Sequence, residues 1–351
     1  MSKDHNEIPG RSPARSSREW SRRGFLKSIA AAGLSVPVFG ILSSRAWADE
    51  PVGTAARPLK LAWNANSACL AAVALAYHEG ILEKHGLTSE LVNFSGSTDQ
   101  LLEAIATGKA DAGVGMALRW LKPLEQGFDV KITTGLHGGC LRLFVAKSSG
   151  ITDIKQLKGK TIATGDLAGP DKNFFSVVLS KAGIDPARDI EWRHYPANLL
   201  GLAIEKGEAQ ALTAYDPLAW GYRKDANLVE LGTNLDGPYH DRTCCLLGVR
   251  GALLRADPEP VKKLEAALLD AWHITASSPD RAAAAFVQYA PKFEASEIAA
   301  MLQSHNHHGQ VRGDALRAQI EAYVEELKIA EVFKPSTDSA KFAKRMTFDV
   351  A

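Results

Sequence analysis

The sequence of 351 residues predicts an α/β fold with two lobes, each a mostly parallel sheet flanked by helices, joined by two hinge strands. One observation is an internal repeat. At an offset of 99 residues, the pattern Ala-Ile-x-x-Gly-x-Ala-x-Ala occurs at 104–112 and again at 203–211. Both copies are typical of a helix that ends at a glycine and leads into a strand. The connector Thr134–Val145 and the apolar strand Arg242–Arg250 flank the second copy. The chain is therefore expected to cross between the lobes twice.

The first unit alternates strands and helices with short loops, which favours a parallel sheet covered by helices. Ser67 is a suitable N-cap for a helix, and Gly86 suits a helix end. The predicted elements are strand Leu59–Trp63, helix Ala68–Lys84, strand Glu90–Phe94, helix Gln100–Ala106, strand Asp111–Val114 and helix Ala117–Leu124.

The second unit repeats this order. Its predicted elements are strand Lys160–Ala163, loop Thr164–Pro170, helix Asp171–Ala182, strand Asp189–His194, helix Leu199–Glu205 after the cap Asn198, and strand Ala209–Ala214. From Asp257 the chain is expected to be helical and to pack on the first lobe, with helices Pro258–Ser277, Pro279–Tyr289, Ala295–Ser304 and Gly313–Ile329. Lobe 1 is therefore expected to comprise residues 57–138 plus 245–351, and lobe 2 residues 139–244.

The N-terminus has the pattern of a twin-arginine export signal over residues 1–48. Arg22-Arg23 precede the uncharged run Ser28–Ser44, and Ala46-Trp-Ala48 is a small-x-small cleavage pattern. The run is broken by Gly and Pro and is shorter than the roughly 20 residues that a spanning helix needs. The product is expected to be soluble in the periplasm.

Charge argues against a nucleic-acid partner. The first 48 residues hold 8 of the 41 Lys and Arg and 3 of the 40 Asp and Glu. Without them the chain would carry 33 basic and 37 acidic side chains, a net charge of −4. No basic stripe remains. We expect a monomer whose partners are a small ligand and a membrane protein.

The four cysteines are Cys69, Cys140, Cys244 and Cys245. None forms a C-x-x-C pair, which is unfavourable for thioredoxin-like chemistry and for ordinary zinc spacing. Cys140 lies in one proposed hinge strand and Cys244 and Cys245 in the other. Export to an oxidising compartment permits a disulfide between them, from Cys140 to either neighbour. The alternative is that all are small apolar residues packed under the hinge.

Candidate ligand-binding residues follow the strands. In open parallel sheets, ligands bind beyond the carboxyl ends of strands, where the free amides of helix starts favour a negatively charged group. His137 is a candidate at the hinge mouth, and Asp166 and Asp216 are candidates for contact with a ligand donor. Each has a plain alternative as a cap or turn residue. The full set is Asn64, Asn66, Ser67, Ser97, Thr98, Met116, His137, Thr164, Asp166, Pro170, Asp171, Lys172, Tyr215 and Asp216.

Catalytic and cofactor motifs are missing from the sequence. We find no G-x-S-x-G elbow, no phosphate-binding G-x-x-x-x-G-K-[ST] loop, no dinucleotide fingerprint and no H-E-x-x-H. The histidines of 305–308 have no Cys, Asp or Glu beside them at ligand spacing, so we interpret them as a polar helix end. The expectation is a protein that is not an enzyme, with no cofactor and no metal site.

These residues resemble the periplasmic substrate-binding proteins (type II) of ABC importers, in the family of the nitrate, taurine and alkanesulfonate binders and the thiamine-precursor binders. The resembling motifs are Phe94-Ser-Gly-Ser-Thr98, the run 104–113, the run 154–163 and Ala214-Tyr-Asp-Pro217. The resemblance spans residues 58–250. It implies capture of a small solute between the lobes and delivery to a permease in the inner membrane. Gly-Ser-like residues are usual in sulfonate binders where this chain has Asp166, which is unfavourable for a simple oxyanion.

Two classes of function follow. The first is a solute-binding protein for a nitrate-, sulfonate- or taurine-like anion or a related small organic molecule, with a thiamine-precursor (pyrimidine) binding protein as the alternative within this class. The second is an exported enzyme, which the twin-arginine route favours because that route often carries proteins folded around cofactors. No cofactor motif supports the second class.

Export is testable through the arginine pair. Replacing Arg22 and Arg23 by Lys is expected to leave unprocessed precursor inside the cell, because the paired guanidinium groups define the twin-arginine signal. Fractionation and immunoblotting measure the ratio of precursor to mature protein. Normal maturation of the variant would contradict the prediction.

Overall fold

The computed structural model describes residues 57–94, 98–307 and 310–350. The predicted export signal lies outside them. The strands are β1 Leu59–Trp63, β2 Ser89–Asn93, β3 Ala112–Met116, β4 Val130–His137, β5 Leu141–Ala146, β6 Thr161–Thr164, β7 Glu191–His194, β8 Ala211–Tyr215, β9 Leu228–Thr233 and β10 Cys245–Arg250.

The helices complete both lobes, with short 3₁₀ turns between some of them. They are α1 Ala71–His78, α2 Ile81–Lys84, α3 Thr98–Ala106, α4 Ala117–Glu125, α5 Pro170–Lys181, α6 Leu200–Glu205, α7 Leu218–Tyr222, α8 Gly251–Ala256, α9 Glu259–Ser277, α10 Pro279–Phe286, α11 Ala295–Gln303, α12 Gly313–Ile329 and α13 Ser339–Met346. Among the described residues, no helix combines the length and apolarity needed to cross a bilayer.

The strands form two five-stranded sheets that have the same plan. The order is β2-β1-β3-β10-β4 in lobe 1 and β7-β6-β8-β5-β9 in lobe 2. In each sheet four strands run one way, and the fifth, β10 or β5, pairs antiparallel with both neighbours. The prediction of two mostly parallel sheets flanked by helices is confirmed, and the repeat at an offset of 99 corresponds to α3–β3 and α6–β8.

The chain crosses between the sheets at 138–140 and again at 234–244. The first crossing is short and joins β4 of lobe 1 to β5 of lobe 2. After the second, β10 returns to lobe 1 and inserts between β3 and β4. The first crossing lies within the predicted connector Thr134–Val145, whereas the second overlaps the predicted strand Arg242–Arg250 only at 242–244. Two segments of chain therefore connect the lobes.

Three local predictions are wrong, and one strand was missed. Asn198 is not the cap of α6, because it lies within the 3₁₀ turn 197–199 that precedes the helix. The helix expected over Ala68–Lys84 is a 3₁₀ turn followed by α1 and α2, because Gly80 adopts a left-handed conformation with φ 66° and ends the first helix. Ser67 is not a side-chain cap, since its hydroxyl accepts no hydrogen bond from the turn it precedes. The edge strand β9 was not predicted, because its alternation of apolar and polar residues is weak.

The centre of the first sheet is organised around one tryptophan. Trp120 in α4 is completely buried, and its ring covers Gly115 of β3 and Gly248 of β10. A Cβ at Gly248 would lie 2.7 Å from the ring, and a Cβ at Gly115 would overlap it. Because real side chains avoid such distances, only glycine leaves room for the indole at these two positions.

We expect Gly115→Ala to lower the free energy of unfolding by about 1–3 kcal/mol, since overpacking a dense core forces neighbouring groups to move. Urea titration followed by circular dichroism measures the change. Gly221→Ala is the matched control, because its Cβ would meet nothing nearer than 3.7 Å. Equal stability of the two variants would contradict this account of Trp120.

Candidate functional site

A cavity of about 680 Å³ lies between the two lobes. Drug-sized ligands occupy pockets of roughly 300–1,000 Å³. Lobe 1 contributes four lining residues: Asn66, Arg119, Lys292 and Phe293. Lobe 2 contributes the loop and helix start that follow β6, the segment that follows β7 and the end of β8: Gly165, Asp166, Pro170, Asp171, His194, Ala197, Asn198, Leu200, Thr213, Ala214, Tyr215, Pro217 and Leu218.

Five of the fourteen predicted residues line this cavity: Asn66, Asp166, Pro170, Asp171 and Tyr215. All five follow the carboxyl end of a strand or belong to it, as expected for open α/β sheets. Asn66 follows β1, the three residues 166, 170 and 171 follow β6, and Tyr215 ends β8. The second lobe therefore supplies most of the lining that the sequence predicts.

The start of α5 is acidic rather than open to an anion. Asp171 stands in the first turn of α5, and the Thr164 hydroxyl lies 3.5 Å from its carboxylate. Burial raises the pKa of Asp171, and the charge of Asp166 raises it further. An anionic ligand group beside these two acidic side chains would be repelled by them. The helix start therefore favours a ligand that offers a hydrogen-bond donor.

An ion pair joins the lobes at the edge of the cavity. Arg119 Nη2 of α4 lies 3.2 Å from Asp166 Oδ2 of the β6–α5 loop. Nearby, the side-chain amide of Asn173 donates to the Leu118 carbonyl at 3.0 Å. Both contacts connect α4 of lobe 1 with α5 and the loop before it. A solute in the cavity is thus placed beside groups whose contacts hold the two lobes together.

Several predicted residues support the cavity without lining it. Asn64 accepts a hydrogen bond from the Asn66 amide at 2.8 Å, which forms the turn after β1. The Thr164 hydroxyl donates to the Asp166 carbonyl at 3.2 Å and stabilises the acidic loop. Ser67 and Met116 are buried. The side chain of Lys172 points to Trp192, with Nζ 5.6 Å from the ring centre, and burial lowers its pKa.

Two predicted residues cannot be placed. Ser97 and the side chain of Thr98 lie outside the described part of the chain. Their assignment to the ligand site stays a prediction.

Asp216 lies beneath the cavity in a buried network of charges. It accepts from Arg142 Nε at 3.1 Å and from His305 Nε2 at 2.8 Å, and the side chains of Asp216 and His305 are completely buried. Arg142 also donates to Glu230 at 3.0 Å. Burial by itself would raise the pKa of Asp216, but His305 and Arg142 hold it below its usual value. The structure therefore gives Asp216 protein partners instead of a place among the lining residues.

This network also connects the lobes. Asp216, Arg142 and Glu230 belong to or follow strands β8, β5 and β9 of lobe 2, whereas His305 follows α11 in the helical C-terminal part. Because a carboxylate only accepts hydrogen bonds, His305 must carry a proton on Nε2. The buried carboxylate of Asp216 therefore accepts hydrogen bonds from Arg142 of lobe 2 and from the imidazole of His305 in the C-terminal part.

His137 and the four cysteines lie together at the hinge. Cys140 Sγ is 3.6 Å from Cys244 Sγ, and Cys69 Sγ is 3.8 Å from Cys245 Sγ; all four are buried thiols. The expected pairing of Cys140 with Cys244 or Cys245 therefore has Cys244 as the nearer partner. Burial lowers the pKa of His137 to about 4, so its ring is neutral at physiological pH. His137 does not line the cavity.

Sequence reasoning missed three of the four lobe 1 residues that line the cavity. Arg119 lies in the first turn of α4, and Lys292 and Phe293 lie in the loop before α11, more than 200 positions after β1. No local motif marks these positions. The rule that ligands bind at strand ends points to the first turn of α4, and it is the one signal that identifies Arg119.

The two-lobed fold is the fold of the periplasmic binding proteins. Two solved structures illustrate the likeness. The sulphonate-binding protein SsuA of Escherichia coli has 17% identity and a TM-score of 0.69, over 82% of this chain and 91% of that one. The nitrate-binding protein NrtA of Synechocystis has 14% identity and a TM-score of 0.69, over 84% and 86%.

A third structure is the alkanesulfonate-binding protein SsuA of Xanthomonas axonopodis bound to MOPS. It has 18% identity and a TM-score of 0.65, over 81% of this chain and 97% of that one. No curated protein matches this sequence. The model of the NMT1/THI5-like family matches residues 68–282, more than half of the chain, and the protein belongs to that family.

Replacing Asp216 by Asn is expected to lower the free energy of unfolding by about 3–5 kcal/mol, since it leaves Arg142 buried without its main counter-ion. Urea denaturation at neutral pH measures the loss. Asp185→Asn is the control, because Asp185 forms an ion pair with Arg188 at the surface and is expected to change stability little.

The difference in stability between wild type and Asp216→Asn is also expected to depend on pH. The folded pKa of Asp216 is lowered, so its contribution is complete above the pKa of an unfolded Asp, about 3.9. It is lost as the pH falls through the lower folded value. The gap in stability between wild type and Asp216→Asn should therefore narrow in acid. A constant gap down to pH 2 would contradict the assignment.

Proposed function

We propose that this protein is the extracytoplasmic solute-binding component of an ABC-type importer. It captures a small polar organic solute between its lobes and delivers it to a permease in the inner membrane. The observation that carries this proposal is the cavity, which both lobes line and which lies where the fold family places its ligands. Periplasmic location and twin-arginine export, predicted from the sequence, fit the same role.

Cavity size supports an organic solute. At about 680 Å³ the cavity is far larger than one nitrate ion requires. A nitrate ligand would leave most of the lining wet or empty, and ligand sites usually cover most of the surface of the molecule they bind. A solute of several heavy atoms fits better.

The charges of the lining support a solute with both a donor and an acidic or polar acceptor group. One side of the cavity has Asp166 and Asp171, and the other has Arg119 and Lys292. Arg119 and Asp166 pair with each other across the cavity, so a solute that displaces this contact has to offer an acceptor to the guanidinium and a donor to the carboxylate. An aminosulfonate has both groups, and so does an aminopyrimidine with a polar substituent. A simple sulfonate or nitrate has only the acceptor.

A matched pair of ligands tests this reasoning. Taurine and ethanesulfonate differ by one amino group, so we expect thermal-shift and calorimetric measurements to show tighter binding of taurine. A 4-aminopyrimidine and nitrate complete the set, and nitrate is expected to bind weakest. Tighter binding of ethanesulfonate or nitrate than of both amino compounds would contradict the proposed role of the acidic side.

For the compound that binds most tightly, Arg119→Ala and Asp171→Asn are each expected to weaken binding roughly ten- to a hundredfold. A hydrogen bond to a charged group contributes about 1.5–3 kcal/mol. Isothermal titration calorimetry measures the change. Lys172→Ala is the matched control, because Lys172 follows Asp171 in α5 but faces Trp192. Unchanged affinity in both test variants would place the ligand elsewhere.

A further inference from the structure

The hinge holds a set of buried metal-binding groups that the proposed solute site does not use. One ring nitrogen of His137 and the sulfur atoms of Cys69 and Cys245 all lie within 4.8 Å of one another. All three residues are buried. They come from three separate places in lobe 1: the turn before α1, the end of β4 and the start of β10. Because β4 and β10 are hydrogen-bonded neighbours, with Cys245 paired to His137, the sheet itself fixes two of the three groups.

His137 has the hydrogen-bonding pattern of a metal ligand. Its Nδ1 lies 3.3 Å from the Gly138 carbonyl, which favours a proton on Nδ1. Nε2 has no hydrogen-bond partner among the described residues, although it is fully buried. A histidine that binds metal through one nitrogen normally donates the other N–H to a carbonyl or carboxylate. An unpartnered buried nitrogen is costly unless something binds it.

The sulfur positions fit a tetrahedral ion. Zinc–sulfur bonds are about 2.3 Å long, so two thiolates at tetrahedral angles lie about 3.8 Å apart. Cys69 Sγ and Cys245 Sγ are 3.8 Å apart. At tetrahedral angles a histidine nitrogen bound to zinc lies about 3.6 Å from each sulfur ligand. The His137 nitrogen lies within 4.8 Å of both sulfurs, so it has to move by at most about 1.2 Å.

We propose that Cys69, His137 and Cys245 bind one Zn²⁺ ion at the hinge. Binding releases two thiol protons, and the two thiolates, the neutral imidazole and Zn²⁺ sum to zero charge. A neutral site is favoured in a buried place, where a net charge is costly. Cu⁺ prefers the same soft ligands but would leave a net charge of −1. Two Cys and one His form a ligand set known from zinc sites that keep a fourth position open.

The site lies close to the solute cavity. Tyr215, which lines the cavity, is paired with Leu141, and the amide of Asp216 donates to the carbonyl of Cys140 at 3.0 Å, so the cavity lining adjoins the cysteine cluster. The ion would connect the start of α1 to the lobe 1 ends of both chain crossings. The proposal is independent of solute binding, because none of its three ligands lines the cavity.

Disulfide formation makes a distinct prediction for each pair of sulfurs. A bond between Cys140 and Cys244, whose sulfurs are 3.6 Å apart, leaves the three proposed ligands intact. A bond between Cys69 and Cys245 removes two of them. Peptide mapping of protein isolated from the periplasm without reduction distinguishes the two cases, and a Cys69–Cys245 disulfide would overturn the proposal.

The direct test uses the full chain, reduced and freed of metal under anaerobic conditions. Titration with Zn²⁺ against a chromophoric chelator is expected to give one ion per chain. Cys69→Ser is expected to weaken Zn²⁺ binding roughly a hundredfold or more, since even groups that only orient a ligand contribute ten- to a hundredfold. Cys140→Ser combined with Cys244→Ser is the matched control: it removes two equally buried thiols and should bind Zn²⁺ as the wild type does.

Folding of each variant is checked by circular dichroism, and His137→Gln serves as the second test variant. If neither test variant folds, Co²⁺ added to the wild type decides the question. Tetrahedral coordination by two thiolates gives intense near-ultraviolet and visible bands that six-coordinate Co²⁺ lacks. No Zn²⁺ binding by reduced wild type, a Co²⁺ spectrum without these bands, equal loss in the control variant, or binding of Cu⁺ in place of Zn²⁺ would each overturn the assignment.

Discussion

The buried carboxylate of Asp216 is the interaction on which the arrangement of the two lobes depends. It is fully enclosed, yet it stays charged because Arg142 of lobe 2 and His305 of the C-terminal helical part both donate to it. Removing Arg142 would leave the carboxylate without its cation in a low-dielectric interior, which is far more costly than losing a surface ion pair. Asp216 therefore keeps its protein partners and is not among the lining residues. The acidic side chains that a solute meets are Asp166 and Asp171 instead.

Much of the fold could be predicted because its signals are local. The strand Leu59–Trp63 is apolar at four of five positions and is nearly all buried, as parallel strands covered on both faces are. The repeated Ala-Ile-x-x-Gly pattern located equivalent helix–strand units in both lobes. Two predictions of elements failed for local reasons. Gly80 ends a helix that the apolar periodicity extends to Lys84, and β9 lacks a clear apolar face.

Residues that line the cavity were predicted only where they end a strand or directly follow one in the sequence. That rule located the acidic loop after β6 but could not tell a lining carboxylate from a buried one, so Asp166 and Asp216 received the same role. The difference arises from Arg142 and His305, which lie 74 and 89 positions from Asp216 along the chain. Burial and long-range pairing of this kind leave no spacing pattern. For the same reason, no spacing pattern in the sequence marks the thiols of Cys69 and Cys245 and the imidazole of His137, which come together only when β10 pairs with β4.

The position of β10 has a consequence for synthesis on the ribosome. All five strands of lobe 2 lie in one stretch, 141–233, so its sheet can form as soon as that stretch emerges. The sheet of lobe 1 cannot be completed at that stage, because β10, which lies between β3 and β4, is the last strand to be synthesised. Until then β3 has an open edge and β4 has no strand to pair with, and unpaired edges invite association with other chains. The nascent protein therefore most needs a chaperone between the synthesis of residue 138 and that of residue 250. Lobe 1 begins to be made first, but its sheet is completed last.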